Sequence, residues 1–239
     1  MKLWGKPAAS VIVTTRNEEK IIEHCLRSVR NQTVKNIEII LVDACSTDRT
    51  VRIARKYINR LAVKKCNVAE GRNIGAGMAR SDVLVFLDAD SMLLPETLEE
   101  VLKAYKRRGV VGASCPVLPI SADIRYVSVY MFYNSMARLS SILRKPQIAG
   151  IFCTYRREAF EKVGGFSKEV GILEDYHLSM RIGKLGKVKF LTNTVALTSP
   201  RRLKKMGIRV PDRYLLAWLK FMLTGRSFGM KWYDKHMAR

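Results

Sequence analysis

Residues Val83-Leu84-Val85-Phe86-Leu87-Asp88-Ala89-Asp90 decide the architecture. Five consecutive apolar residues, rich in Val and Phe, read as a buried strand. The run stops on two carboxylates spaced i, i+2. Acids at the mouth of a buried strand are costly unless a positive charge meets them. In open α/β sheets, ligands bind just beyond the carboxyl ends of the strands. Hard oxygen ligands suit Mg²⁺ or Mn²⁺, metals that usually arrive with substrate phosphates. The strand therefore points at a metal–diphosphate site. An acidic turn capping the next helix is the plain alternative, and an isolated Asp-x-Asp does not choose between the two.

On either side of this strand, apolar runs and helical stripes alternate. Strands are expected at 9–15, 37–42, 61–63 and 110–115. Helices are expected at 18–30, from a cap at Ser46-Thr47-Asp48 to about 56, at 67–79, and from Pro95 to about 105. Alternating βα units predict a largely parallel sheet with helices on both faces. Beyond Pro116 and Pro119 the pattern loosens. A helix crowded with Tyr, Phe and Met is expected at 126–143, and a strand at 148–155. Gly164-Gly165 ends a short helix, 174–185 reads as a helix, and 187–191 and 194–197 read as strands.

The chain has 239 residues and 48% hydrophobic residues, enough for one large α/β domain. Forty-three Lys and Arg against 21 Asp and Glu leave a net charge of +22. Such a surface meets polyanions: nucleic acid, anionic lipid or phosphorylated substrate. The five cysteines are odd in number and form no Cys-x-x-Cys, so neither a disulfide framework nor a zinc site is expected. No signal-peptide pattern and no eighteen-residue apolar stretch occurs, which predicts a protein of the cytosol or the cytosolic membrane face. A P-loop is absent, and Arg80 breaks the dinucleotide-binding glycine pattern after Gly75-Ala76-Gly77.

Four strand ends deliver polar groups to one sheet edge. They are Thr14-Thr15-Arg16-Asn17-Glu18, Asp43 in Val42-Asp43-Ala44-Cys45-Ser46-Thr47-Asp48, Gly71-Arg72-Asn73-Ile74-Gly75, and the Asp88/Asp90 pair. Helix capping accounts for Asn17, Ser46 and Asp48. It accounts less well for Asp43, Arg72 or the acid pair. In order and spacing these segments resemble the family 2 glycosyltransferases. Gly164-Gly165-Phe166 and Glu174-Asp175-Tyr176-His177-Leu178-Ser179-Met180-Arg181 are similar to that family's acceptor-side motifs. The resemblance spans roughly residues 8 to 200.

The resemblance implies a GT-A fold: a mixed, mostly parallel sheet flanked by helices. A Rossmann-like nucleotide-sugar half would cover about 8–116 and an acceptor half about 117–200, with a basic extension at 201–239. It implies inverting transfer of a sugar from a nucleotide-diphosphate-sugar, with a divalent metal, Mn²⁺ or Mg²⁺. Residue by residue, Asp43 matches the acid that binds the base, and Thr14 and Glu18 match residues framing the nucleoside. Arg72 matches a basic residue facing the base or diphosphate. Asp88 matches the acid on the ribose and metal side, and Asp90 the direct metal ligand. Asp175 matches the general base, and Glu174 beside it would position the acceptor. Opening the acceptor helix, Asp175 would feel partial positive charge, favouring the ionised form. Its plain reading is a helix-start acid without chemistry.

Two departures stand out. Ala44-Cys45 replaces the small polar or Gly residues usual after the base-binding acid. Thr198-Ser199 stands where many members carry a metal-binding His, so the metal shell is expected to lack a protein ligand. Arg201 or Arg202 could join Arg72 against the diphosphate, since guanidinium forks match phosphate geometry.

A nucleic-acid-binding protein is the non-enzymatic alternative at +22. It would have no need of four acids on one rim. From Arg201 onward the chain carries eleven Lys and Arg against two Asp, with an apolar helix expected at 214–223 containing Trp218 and Phe221. That composition predicts a peripheral anionic-membrane partner and a lipid-linked acceptor of the polyprenyl or dolichyl phosphate type. The aromatic helix at 126–143 could line an acceptor groove, join the same patch, or be ordinary core.

Overall fold

A computed structural model describes residues 5–167, 170 and 173–206. In chain order the elements are β1 (Ala9–Thr15), α1 (Ile22–Arg30), β2 (Ile37–Asp43), α2 (Thr50–Ala54), β3 (Arg60–Val63), α3 (Val68–Met78), β4 (Val83–Asp88), β5 (Ser91–Leu93), α4 (Thr97–Tyr105), β6 (Val110–Ser114), β7 (Val117–Pro119), α5 (Ile124–Ile142), β8 (Phe152–Arg156), α6 (Arg157–Lys162), α7 (Glu174–Gly183), β9 (Lys187–Phe190), β10 (Ala196–Thr198) and α8 (Arg201–Met206). The main sheet runs β3-β2-β1-β4-β8-β6-β9. Its pairings are parallel except at β8, which lies antiparallel to both β4 and β6. A small sheet, β5-β10-β7, stands beside it.

The strands read as unbroken apolar runs because both sheet faces are covered. All seven residues of β2 are buried. One core layer joins β1, β2 and β4 to Ile22, Cys25, Leu26 and Val29 of α1 and to Leu98 and Val101 of α4. The other joins Ile12, Leu84 and Phe86 to Ala76 of α3, Phe160 of α6, and Leu178 and Ile182 of α7. Glu38 within β2 and Asp43 at its end are the buried acids of this strand; Glu38 lies away from the strand's C-terminal edge. Its carboxylate accepts from Ser10 Oγ at 2.5 Å and from Arg80 Nε at 3.2 Å.

Several elements differ from the sequence reading. Glu18–Ile21 forms a turn, with the Glu18 carbonyl taking the Ile21 and Ile22 amides, so α1 starts at Ile22. α2 is shorter than expected, and Pro95 precedes α4 instead of lying in its first turn. β5 and β7 were not expected at all; each has three residues, too few to show a period. β8 begins at Phe152, because Ile148–Gly150 forms a loop at the site. α5 is not ordinary core: of its residues only Ser140 is buried. The expected helix at 214–223, with Trp218, lies outside the described residues, as do the other positions past 206.

Candidate active site

Three parallel strands finish level with one another. Thr15 pairs with Asp43, and Thr14 with Asp88. This register brings Thr14, Asp43 and Asp88 to one edge of the sheet, where the resemblance put them. α3 lies tight against β1, because a Cβ on Gly75 would sit 2.3 Å from Ile12 Cγ2 and one on Gly71 would sit 3.0 Å from Thr14 Cγ2. The Gly71/Gly75 spacing of four turns both glycines to the sheet. Arg72 is thereby delivered, buried, to the strand ends. A capping box at Asn67 and Glu70 starts the helix.

Arg72 is the centre of the site. Its Nη2 donates to Asp88 Oδ1 at 2.9 Å and to the Gly150 carbonyl at 3.0 Å. Its Nη1 donates to Glu174 Oε1 at 2.9 Å. The guanidinium lies 5.1 Å from the Phe166 ring centroid. Arg72 thus bridges two protein acids from distant segments. Burial works against its charge, but Asp88 and Glu174 outweigh that cost and hold its proton more firmly still. Gly150 has no room for a side chain, since a Cβ there would meet Arg72 Nη2 at 2.5 Å. Asn73 pins the Gly-Gly-Phe segment, accepting from the Phe166 amide at 2.9 Å and donating to its carbonyl at 2.8 Å.

Asp175 stands next to this bridge at the start of α7. Its Oδ2 accepts from the Gly150 amide at 2.5 Å and its Oδ1 from the Tyr176 amide at 2.8 Å. The residue keeps some exposure at the mouth of the site, but its carboxyl group is packed round with protein. Desolvation, helped by the Glu174 charge, raises its pKa to about 7; Arg72 and the two amides oppose the rise. Helix-start polarity was expected to favour the ionised form. Burial outweighs it.

At the end of β2, Asp43 is fully buried, and both its oxygens are taken by Ser46: the amide at 2.8 Å and the hydroxyl at 2.5 Å. Asn17 and Cys45 both have positive φ, +55° and +58°. Asn17 Oδ1 accepts from the Thr47 amide at 2.8 Å, and the Asn17 amide donates to Ser46 Oγ at 2.8 Å. The loops after β1 and β2 are thus stitched together. The capping role expected of Asn17 and Ser46 is in fact a loop–loop role.

The small sheet completes the rim. β10 pairs with β5 so that Thr198 faces Ser91, and their hydroxyls bond at 2.9 Å. The Ser199 amide donates to the Asp90 carbonyl at 3.0 Å. This carries Arg201 over the acid pair. Its Nε lies 3.3 Å from Asp90 Oδ2, its Nη1 donates to Glu18 Oε2 at 2.6 Å, and its Nη2 bonds Glu18 Oε1. Among the described residues no three His, Cys, Asp or Glu are grouped to hold a metal. Asp88 and Asp90 supply two hard carboxylates. That donor set fits Mg²⁺ or Mn²⁺ completing its shell with substrate oxygens and water.

Phe166 belongs to the Gly-Gly-Phe motif of the sequence; Gly150 carries no sequence signal and is a site residue only in the structure.

The pattern described as Glycosyl transferase family 2 matches residues 10–164. The chain belongs to that family. It is 30% identical over 183 residues to a Haemophilus influenzae protein named as an uncharacterized glycosyltransferase, covering 72% of this chain and 61% of that one. It is 24% identical over 222 residues to a hyaluronan synthase from Pasteurella multocida, covering 88% of this chain and 23% of that one. The chain thus spans less than two thirds of the length of these curated relatives. A mannosyltransferase from Pyrobaculum calidifontis, solved with GDP-Man and Mn²⁺, superposes with a TM-score of 0.73 at 21% identity, over 98% of this chain and 68% of that one. TarS of S. aureus, solved with UDP-GlcNAc, gives 0.67 at 23% identity, over 80% and 58%. The fold is of the GT-A type.

Proposed function

We propose that this family 2 chain transfers a sugar, with inversion, from a nucleotide-diphosphate-sugar to an acceptor hydroxyl or phosphate. One observation carries the reading: a single buried guanidinium, Arg72, ties the donor-side acid Asp88 to the acceptor-side acid Glu174. Residues from the two halves of the sequence thereby share one site, with Asp175 beside them. Similar proteins solved with GDP-Man and with UDP-GlcNAc support a nucleotide-sugar donor.

Each residue then has a task. Asp43 and Ser46 shape the pocket edge for the base, with Thr14 and Glu18 framing the nucleoside. Asp88 and Asp90 would hold Mn²⁺ or Mg²⁺, which when bound offsets charge on the departing diphosphate as a Lewis acid. Arg72 serves as a strut that keeps Asp88 and Glu174 aligned. Asp175 accepts the acceptor hydroxyl's proton as the acceptor oxygen bonds the anomeric carbon. The bond from that carbon to the diphosphate oxygen breaks, and its electron pair leaves with the nucleoside diphosphate. The Gly150 and Tyr176 amides orient the Asp175 carboxylate for this transfer. A positioned base of this kind contributes about 10²–10⁴-fold.

The acceptor in this reading is lipid-linked and the protein is peripheral on the cytosolic side of an anionic membrane. The excess of Lys and Arg after residue 200 and the net charge of +22 support it. No described helix is long and apolar enough to cross a membrane.

A thermal-shift panel of UDP-, GDP- and dTDP-sugars, with and without Mn²⁺, tests the donor. A ligand that binds the folded state raises the midpoint by mass action. One nucleotide class should stabilise the protein, and more so with Mn²⁺. No shift with any of them at millimolar concentration overturns the donor assignment.

A further inference from the structure

We infer that the outer face of α5 is a docking surface for an anionic lipid bilayer. The inference rests on the peripheral-membrane reading above and locates the contact on the helix that the sequence left open between acceptor groove, membrane patch and core.

α5 has 19 residues, about 28 Å at the usual helical rise. Its inner side is anchored to the fold. Asn134 both donates to the Val117 carbonyl at 2.8 Å and accepts from its amide at 2.9 Å, and Ser141 Oγ donates to the Val188 carbonyl at 2.7 Å. Its outer side carries Ile124, Met131, Phe132, Leu139 and Ile142, with Leu143 just beyond, all between 48% and 71% exposed. These positions recur at helical spacing with Ser128, Ser135 and Arg138, so they share one stripe along the helix. Single exposed apolar residues need no explanation; a stripe of six large ones does.

The charges say what covers it. Arg138 lies at the margin of the stripe and Arg144 and Lys145 at its C-terminal end, all exposed; Arg125 at its start is paired with Asp123, and no Asp or Glu occurs between Asp123 and Glu158. An apolar stripe bordered beyond its first turn by cations without acids suits acyl chains below anionic headgroups. A protein partner with a mixed rim would be met by acids as well as bases.

The placement also serves the site. α5 ends shortly before Gly150, whose amide holds Asp175. Ser140 Oγ on the last turn accepts from the Gln147 amide at 3.1 Å, tying helix and site loop together. A bilayer under α5 would hold this acceptor side at the headgroup level.

Flotation of the full chain on phosphatidylglycerol-containing vesicles and on pure phosphatidylcholine vesicles tests this, at low and high salt. The wild type should float with the anionic vesicles at low salt and much less with the neutral ones. Phe132→Glu and Leu139→Glu should each lower the partition about tenfold or more, since each removes a large apolar side chain from the lipid contact and adds a charge of the lipid's own sign. Arg52→Gln on α2, with the same one-unit charge change, should stay near wild type. Thermal midpoint and donor binding should be unchanged in all three, because these side chains are exposed. If the wild type floats, Trp218→Glu abolishes flotation and the α5 variants do not change it, the α5 inference is overturned while the membrane reading stands. If the wild type fails to float at low salt, both fall. If Phe132→Glu instead dissociates a dimer in sedimentation without changing flotation, the face is a self-interface and the inference is overturned.

Discussion

The carboxyl of Asp175 is pulled two ways. Packing and the Glu174 charge favour its protonated form; Arg72 and two backbone amides favour the carboxylate. With packing ahead, its pKa stands near the working pH of most enzymes, where a general base is most effective. The raised value means the native state holds this proton more tightly than the unfolded chain. Its contribution to stability is therefore lost as pH rises from the ordinary carboxylate range through about 7. Activity runs the other way, because the base must be free. The rate constant kcat/KM should rise through pH 7 to a plateau, and Glu174→Gln should move that rise to lower pH, since the removed charge is a raising influence. A rise at unchanged pH in Glu174→Gln would take the titration away from Asp175. Asp175→Asn should keep donor binding and lose at least ~10²-fold in turnover. Near-normal turnover would mean an acceptor that needs no base. Arg201 poses a different question. Its guanidinium already contacts Asp90 and Glu18, so a divalent cation must compete with it. Calorimetry with Mn²⁺ alone should show tighter binding to Arg201→Ala than to wild type and none to Asp90→Ala. Weaker binding to Arg201→Ala would mean that Arg201 organises the acid pair instead of competing for it.

α3 shows how a helix can be placed by what its residues lack. Gly71 and Gly75 bring its backbone onto β1, and that approach is what carries Arg72 into the strand-end cleft. Gly75→Ala should cost about 1–3 kcal/mol by overpacking against Ile12. A denaturant titration should show the loss, and Ile12→Ala should recover part of it in the double variant. Additive losses would mean that α3 is positioned by something other than this contact. Removing the strut has a larger cost: Arg72→Met leaves Asp88 and Glu174 facing each other in a nearly dry site, about 3–5 kcal/mol for a broken buried pair. The partial exposure of the two acids puts the expected loss at the lower end.

Across the molecule, the two halves expected from the sequence share one sheet. β8, from the second half, lies between β4 and β6 of the first. Both core layers therefore draw on both halves: Phe152 packs with β1 and α1, and Leu178 with β1 and α3. The described residues should unfold in one transition, with circular dichroism and nucleotide-site fluorescence coinciding. Separate midpoints for the two signals would show that the halves are independent. The βα units of the first half, the end of β4 on its acid pair, the start of α3 and the Gly164-Gly165 turn, left-handed in the structure, were all readable along the chain. Each depends on neighbours within a few residues, where periodicity and turn chemistry act. The antiparallel β8, the three-residue strands β5 and β7, and the exposed face of α5 were not readable. Nothing local states which strand will lie beside which, or which side of an aromatic helix the core will cover. The site divides in the same way. Asp43, Asp88, Asp90 and Asp175 stood out as acids at element ends. The ion pairs within the site did not, because Arg72 meets Glu174 across 102 positions and Arg201 meets Glu18 across 183. Ion pairs of that span, like the raised pKa of Asp175, exist only once folding has brought the groups together.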